Sequence, residues 1–119
     1  MISRNLAASA KTVSAFLNLM GNEKRLLIMN HLAGGELSAG VLAEKVQLSQ
    51  SALSQHLAKL RAFGLVGTRR DGQVIYYYCS SGAARELLAM LDGLLMTGRP
   101  LAGPGPHYVA HRLRRLRMA

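Results

Sequence analysis

A single cysteine, Cys79, stands in a chain of 119 residues. No disulfide can form within such a chain, which fits a reducing cytoplasm. Tryptophan is absent and only four tyrosines and two phenylalanines are present, so few large aromatics serve the core. The three prolines are Pro100, Pro104 and Pro106, and together with Gly98, Gly103 and Gly105 they break regular structure near the end of the chain. No apolar run reaches the roughly 18 residues that span a bilayer. The N-terminal stretch lacks a signal core, because Asn5, Lys11, Ser14 and Asn18 interrupt it. Acids are few, six in all, and scattered without a dyad. With no nucleophile–base pair, phosphate-cradling glycine loop or metal cluster in view, an enzyme is not expected, and neither is a cofactor.

Bases, by contrast, are plentiful. Fifteen lysines and arginines give a formal charge of +9, and a chain of this sign suggests a polyanionic partner, nucleic acid or an anionic membrane surface. Residues 99–119 hold Arg99, Arg112, Arg114, Arg115 and Arg117 and no acid. We therefore expect one domain over residues 1–98 and a Gly/Pro linker with a basic tail over residues 99–119. Half of the residues are hydrophobic and 18% are charged, a globular composition. A domain of this size buries only about 60–70% of its unfolded surface, so a second subunit would stabilise it.

Val13, Phe16, Leu17 and Met20 recur at helical spacing and predict an amphipathic helix over about residues 6–20, ended by Gly21. Asn22 can cap a second helix, whose Leu26, Leu27, Ile28, Met29 and Leu32 occupy more than one face and predict central burial. Ser38 can cap a short third helix, Ala39 to Val46, and Gln47-Leu48 connects it tightly to a fourth, Gln50 to Phe63, capped by Ser49 and followed by Gly64. Two runs rich in β-formers, 65–70 and 73–78, flank Asp71-Gly72, a strong hairpin signal in which both turn residues would need positive φ. A last helix spans Gly82 to Met96, with Leu87, Leu88, Leu91, Leu94 and Leu95 as its stripe. The order α-α-α-α-β-β-α, mainly α with a small hairpin, is that of a winged helix-turn-helix domain.

The fourth helix carries the functional signal. Its segment Ser49 to His56 has no charge at all in a strongly basic chain. At about 100° per residue, Leu53, Leu57 and Leu60 face inward, while Ser51, Gln55, Ala58 and Ala62 face outward, flanked by Ser54 and Lys59. Small neutral polar side chains suit a helix that approaches base edges closely: Gln pairs bidentately with adenine, Ser bonds either way, and Ala lets the helix sit deep. Charge belongs at the margins, on phosphates. Exposed N–H groups around Ser49, Gln50 and Ser51 offer a further phosphate contact. His56 lies about 60° from the inward arc, where a structural role and a base contact both remain open. At the hairpin tip stand Arg69, Arg70 and Gln73, and because adjacent strand residues point to opposite faces, one arginine would meet the duplex. Double-stranded DNA is thus the expected partner.

The stretch from Asn22 to Tyr78 resembles the ArsR/SmtB family of bacterial winged-helix repressors. The likeness rests on Arg-Leu-Leu-Ile in the second helix, Ser-Gln-His-Leu-Ala-Lys-Leu in the fourth, and Arg-Arg-Asp-Gly with its tyrosines in the wing. It covers about residues 14–95 and leaves the tail outside. The resemblance implies a homodimer built on the first and last helices, and the stripes Val13/Phe16/Leu17/Met20 and Leu87/Leu91/Leu94 agree with that. It does not carry over the family's metal chemistry, since the third helix has no Cys or His and the last offers Asp92 without a matching His. Nor is there a dithiol, with Cys79 alone, so no metal site is expected and no small-molecule effector is identifiable from the sequence. The remaining alternative is a redox- or metal-responsive derepressor of the same fold acting through Cys79 or through His107 and His111, which are four residues apart.

Overall fold

The computed structural model describes residues 2–104; the basic tail beyond, with His107 and His111, lies outside them. The chain divides into two compact units, Met1–Glu86 and Leu87–Ala119, with the boundary inside the last helix.

Where the first apolar stripe predicts one helix there are two, α1 (Arg4–Ala8) and α2 (Ala10–Met20). Ser9, with φ −108° and ψ 15°, separates them, and serine is a residue that readily trades helical geometry for local alternatives. The second predicted helix is α3 (Glu23–Ala33), opened by Asn22, whose Oδ1 accepts the Arg25 N–H at 3.0 Å. Ile28, Met29 and Leu32 are wholly buried, whereas Leu27 is exposed, so α3 is central on one side only.

Next comes a strand that periodicity does not announce, β1 (Leu37–Ser38). It pairs antiparallel with β3 (Val74–Cys79), which also pairs with β2 (Val66–Asp71), giving the order β1-β3-β2. The expected two-stranded hairpin is therefore part of a three-stranded sheet. Its turn also differs from expectation. Asp71 still belongs to β2, opposite Val74, and the central residues are Gly72 and Gln73. Only Gly72 has positive φ, 63°, which places glycine at the first central position as a II′ turn requires.

Between the strands of this sheet lie α4 (Ala39–Val46) and α5 (Gln50–Phe63). Ser38 Oγ accepts from Val41 N–H and Ser49 Oγ from Ala52 N–H, so both serines cap as their positions suggest. Gln47 turns the chain between the helices in the left-handed region (φ 56°). The Leu48 N–H donates to the Ala43 carbonyl at 3.0 Å. At the far end of α5, Gly64 (φ 88°) and the Leu65 N–H donating to the Leu60 carbonyl close a Schellman motif. Leu42, Ala43 and Val46 of α4 and Leu53, Leu57 and Leu60 of α5 complete the core with Leu65, Val66, Cys79 and Ala84. This is a winged helix-turn-helix.

Helix α6 (Gly82–Met96) begins in the first unit. There the Arg85 guanidinium donates to the carbonyls of Ala33 at 2.8 Å and Cys79 at 3.2 Å. In the second unit, the Thr97 hydroxyl donates to the carbonyls of Gly93 and Leu94, and Gly98 (φ 71°) ends the helix. Leu87, Leu91 and Leu94 are half-buried, whereas Met90, Leu95 and Met96 are exposed. Among the described residues no helix is long and apolar enough to cross a membrane.

Candidate nucleic-acid interface

The leucines of α5 decide where its other side chains go. Leu53, Leu57 and Leu60 are each at most 2% exposed, and three anchors on one arc fix the helix about its axis. Ser51, Gln55, Ala58 and Ala62 are consequently on the outside, and all four are exposed. Ser49, Gln50, Ser54 and Lys59 are exposed too. Neither the side-chain oxygen nor the side-chain NH2 of Gln55 has a partner among the described residues, so donor and acceptor both remain available to a ligand.

His56 lies on a flank of α5 and is half-buried, with Nδ1 enclosed and without a hydrogen-bond partner among the described residues. Burial, then the nearby charges of Arg25 and Lys59, hold its pKa below the usual imidazole value. The ring is therefore neutral at pH 7. Because the unfolded chain binds this proton more readily than the folded one, stability is full above the ordinary histidine pKa and falls as pH drops below it. Thermal melting between about pH 7.5 and about pH 5.5 should show a steeper loss for the native chain than for His56→Gln. Equal slopes would mean that His56 titrates as freely folded as unfolded.

The described bases sort into those spent internally and those left over. Lys24 Nζ donates to the Val46 carbonyl at 2.8 Å, at the C-terminal end of α4. Arg25 donates to Leu19 and Asn18 at the end of α2, and Arg85 to Ala33 at the end of α3. Each places positive charge where a helix dipole is negative. Arg69 is held by the carboxylate of Glu36, its Nε at 3.0 Å from Oε2, and its guanidinium lies 4.7 Å from the centre of the Tyr76 ring. That pairing lowers the Glu36 pKa and raises that of Arg69. Glu36 has no signal in the sequence; it reaches Arg69 only because β1 joins the sheet.

The wing thus distributes its arginines by face. Arg69 shares one face with Tyr76, its cross-strand neighbour, and is engaged there. Arg70 pairs with Ile75, on the face that also carries Thr68 and Tyr77. Its Nε donates to the Gly72 carbonyl at 3.1 Å, which holds the exposed guanidinium at the tip beside exposed Gln73. Lys45, Lys59 and Arg61 make no side-chain hydrogen bond or ion pair among the described residues. Tyr77 faces α5 across a cleft of about 390 Å³ lined also by Ser54, Leu57, Ala58, Arg61 and Ala62. Neither Arg61 nor Tyr77 is singled out by the sequence pattern.

The capped pair of helices lies within a stretch that matches a known family of regulators. The profile described as "Bacterial regulatory protein, arsR family" matches residues 22–68. The nodulation protein NolR of Rhizobium meliloti is 54% identical over 71% of this chain and 70% of its own length. The chain belongs to the ArsR family. The crystal structure of NolR from Sinorhizobium fredii, 49% identical, covers 79% of this ArsR-family chain and 94% of that one with a TM-score of 0.71. The transcriptional activator HlyU of Vibrio cholerae is 48% identical over 72% of this chain and 79% of its own. A solution structure of the homodimeric winged helix-turn-helix DNA-binding domain of Mb0332 from Mycobacterium bovis is 25% identical and gives a TM-score of 0.69. It covers 87% of this chain and 97% of that one. The chain is accordingly a transcriptional regulator of the ArsR family and not an enzyme.

Met20, expected with Val13, Phe16 and Leu17 at the dimer interface, is 3% exposed and packs in the core of the first unit. Of the two sensor candidates, Cys79 is 5% exposed, with Sγ 3.5 Å from the Ser81 carbonyl oxygen, and His107 and His111 lie outside the described residues. Among the described residues no three His, Cys, Asp or Glu side chains gather as metal ligands.

Proposed function

We propose that this regulator binds a near-palindromic operator as a homodimer, acts as a repressor by occupying it, and does so without a metal cofactor. The observation that carries the reading is the outer face of α5: Ser51, Gln55, Ala58 and Ala62 are exposed and none of the chain's own described elements covers them. That face fits the major groove, where Gln55 and Ser51 bond base edges and the two alanines permit close approach. Ser49, Gln50, Ser54 and Lys59 border it and contact phosphates or neighbouring bases. Arg70 and Gln73, with Arg69 once Glu36 releases it, reach the adjacent minor groove from the wing. His56 supports the helix from behind.

A dimer is supported by two apolar surfaces, each taken alone. In the first unit Val13 and Phe16 are half-buried and Leu17 is 49% exposed. In the second, Leu87, Leu91 and Leu94 are half-buried beside exposed Leu95. Such surfaces on a small protein mark contacts with a partner. The homodimeric Mb0332 domain supplies a related precedent. The paired α5 helices would then stand about 34–36 Å apart, one turn of duplex. Such a regulator works in the cytoplasm, on the nucleoid.

Selection of duplexes from a random pool by the full chain tests the reading. Inverted repeats with centres one turn apart are expected to be enriched, and a reporter carrying such a site should be silenced. Recovery of no common sequence would overturn it. In the same assay Arg70→Ala should weaken selected and unselected duplexes about equally, because phosphate and groove-potential contacts carry little sequence information. A loss confined to the selected sequences would instead make Arg70 a base reader.

A further inference from the structure

We propose that the cleft between α5 and β3 is the seat of the DNA strand that separates the two grooves, held by Arg61 and the Tyr77 hydroxyl. The proposal rests on the reading above and extends it to residues outside the outward face and the wing tip. If α5 lies in the major groove and the wing enters the neighbouring minor groove, one phosphodiester strand must cross between them, because only that strand divides the two. The space available for it is the cleft lined by Ser54, Leu57, Ala58, Arg61, Ala62 and Tyr77.

Its chemistry fits a polyanion. Leu57, 2% exposed, forms the floor, and Ser54, Ala58 and Ala62 form a wall of small neutral side chains that lets a backbone approach. No acid lines it. At its rim is the Arg61 guanidinium, which has no partner among the described residues, while Lys24, Arg25, Arg69 and Arg85 are each committed within the protein. Opposite stands a phenol whose hydroxyl bonds to nothing among the described residues. A guanidinium and a hydroxyl facing each other across small side chains suit a phosphate group. The same space could instead seat a small apolar molecule, and the two occupants predict different salt behaviour.

The test uses the full chain and a labelled double-stranded oligonucleotide of mixed sequence, with affinity measured by fluorescence anisotropy over a series of salt concentrations. Each phosphate neutralised contributes about 0.9 to the slope of log affinity against log salt. Arg61→Gln should make that slope shallower by about 0.9 for each subunit bound, while Arg61→Lys should keep it. Tyr77→Phe should weaken binding about fivefold for each subunit bound at every salt concentration, the loss of one hydrogen bond per subunit. Arg61 is exposed, and circular dichroism of each variant confirms that it folds. An unchanged slope in Arg61→Gln overturns the proposal and favours the small-molecule occupant. If Gln55→Ala still relaxes sequence preference in that case, the groove reading survives and the strand crosses elsewhere. If Gln55→Ala is silent as well, both readings fall.

Discussion

Leu60→Ala should lower the unfolding free energy by about 2–5 kcal/mol, the range for emptying a fully buried leucine site. Leu60 is 0% exposed, and its carbonyl accepts the Leu65 N–H that closes the end of α5. Removing the side chain forfeits burial and leaves a space that surrounding residues fill only partly, because interiors are packed to crystal density. Domains of this kind are stable by about 5–15 kcal/mol in all, so the loss is a large share. Urea unfolding at fixed protein concentration is the measurement: the midpoint should fall while the slope against urea stays the same. Fixed concentration matters because dimerisation would add a mass-action contribution. A loss under about 1 kcal/mol would mean that α5 is not anchored through Leu60, and the rotational setting that turns Gln55 outward would lose one of its three supports.

What could be read from the sequence was whatever has a local cause. The bounds of α4 and α5 follow from a serine at each start and a left-handed residue or glycine at each end, all within one helical turn of the residues they govern. The inward arc of α5 follows from helical spacing alone. The hairpin was visible as two β-rich runs, but its turn moved by one residue, since placing Gly72 first needs one positive φ where Asp71-Gly72 would need two. The rest depended on contacts far apart in the chain. β1 is two residues long and exists because Leu37 lies opposite Tyr77. Glu36 meets Arg69 only through that pairing. Lys24, Arg25 and Arg85 look like surface charges in a list of residues, yet each ends on a helix carbonyl contributed by another element. The spacing of Met20 marks an apolar helix face, but a 3.6-residue period does not give the neighbour that covers it.

Gln55→Ala should cost about 1–3 kcal/mol of binding at a selected operator, roughly 5- to 150-fold, by removing a bidentate contact to one base. The change should leave stability nearly untouched. Gln55 is exposed, its amide serves no internal hydrogen bond among the described residues, and alanine is the better helix former. Competition binding of the variant to the operator and to operators substituted at one base pair at a time is the measurement. Discrimination should collapse at one position in each half-site and persist at the others, with an A·T pair the expected position. The salt slope should not change, since no phosphate is released or gained. These three readouts separate causes that a simple loss of affinity would merge. A folding defect would lower stability and weaken every duplex together, and loss of a phosphate contact would alter the slope. Only removal of a base-reading amide relaxes one position while leaving stability and slope in place. Unchanged discrimination at every position would put the outer face of α5 outside the groove, whatever the affinity.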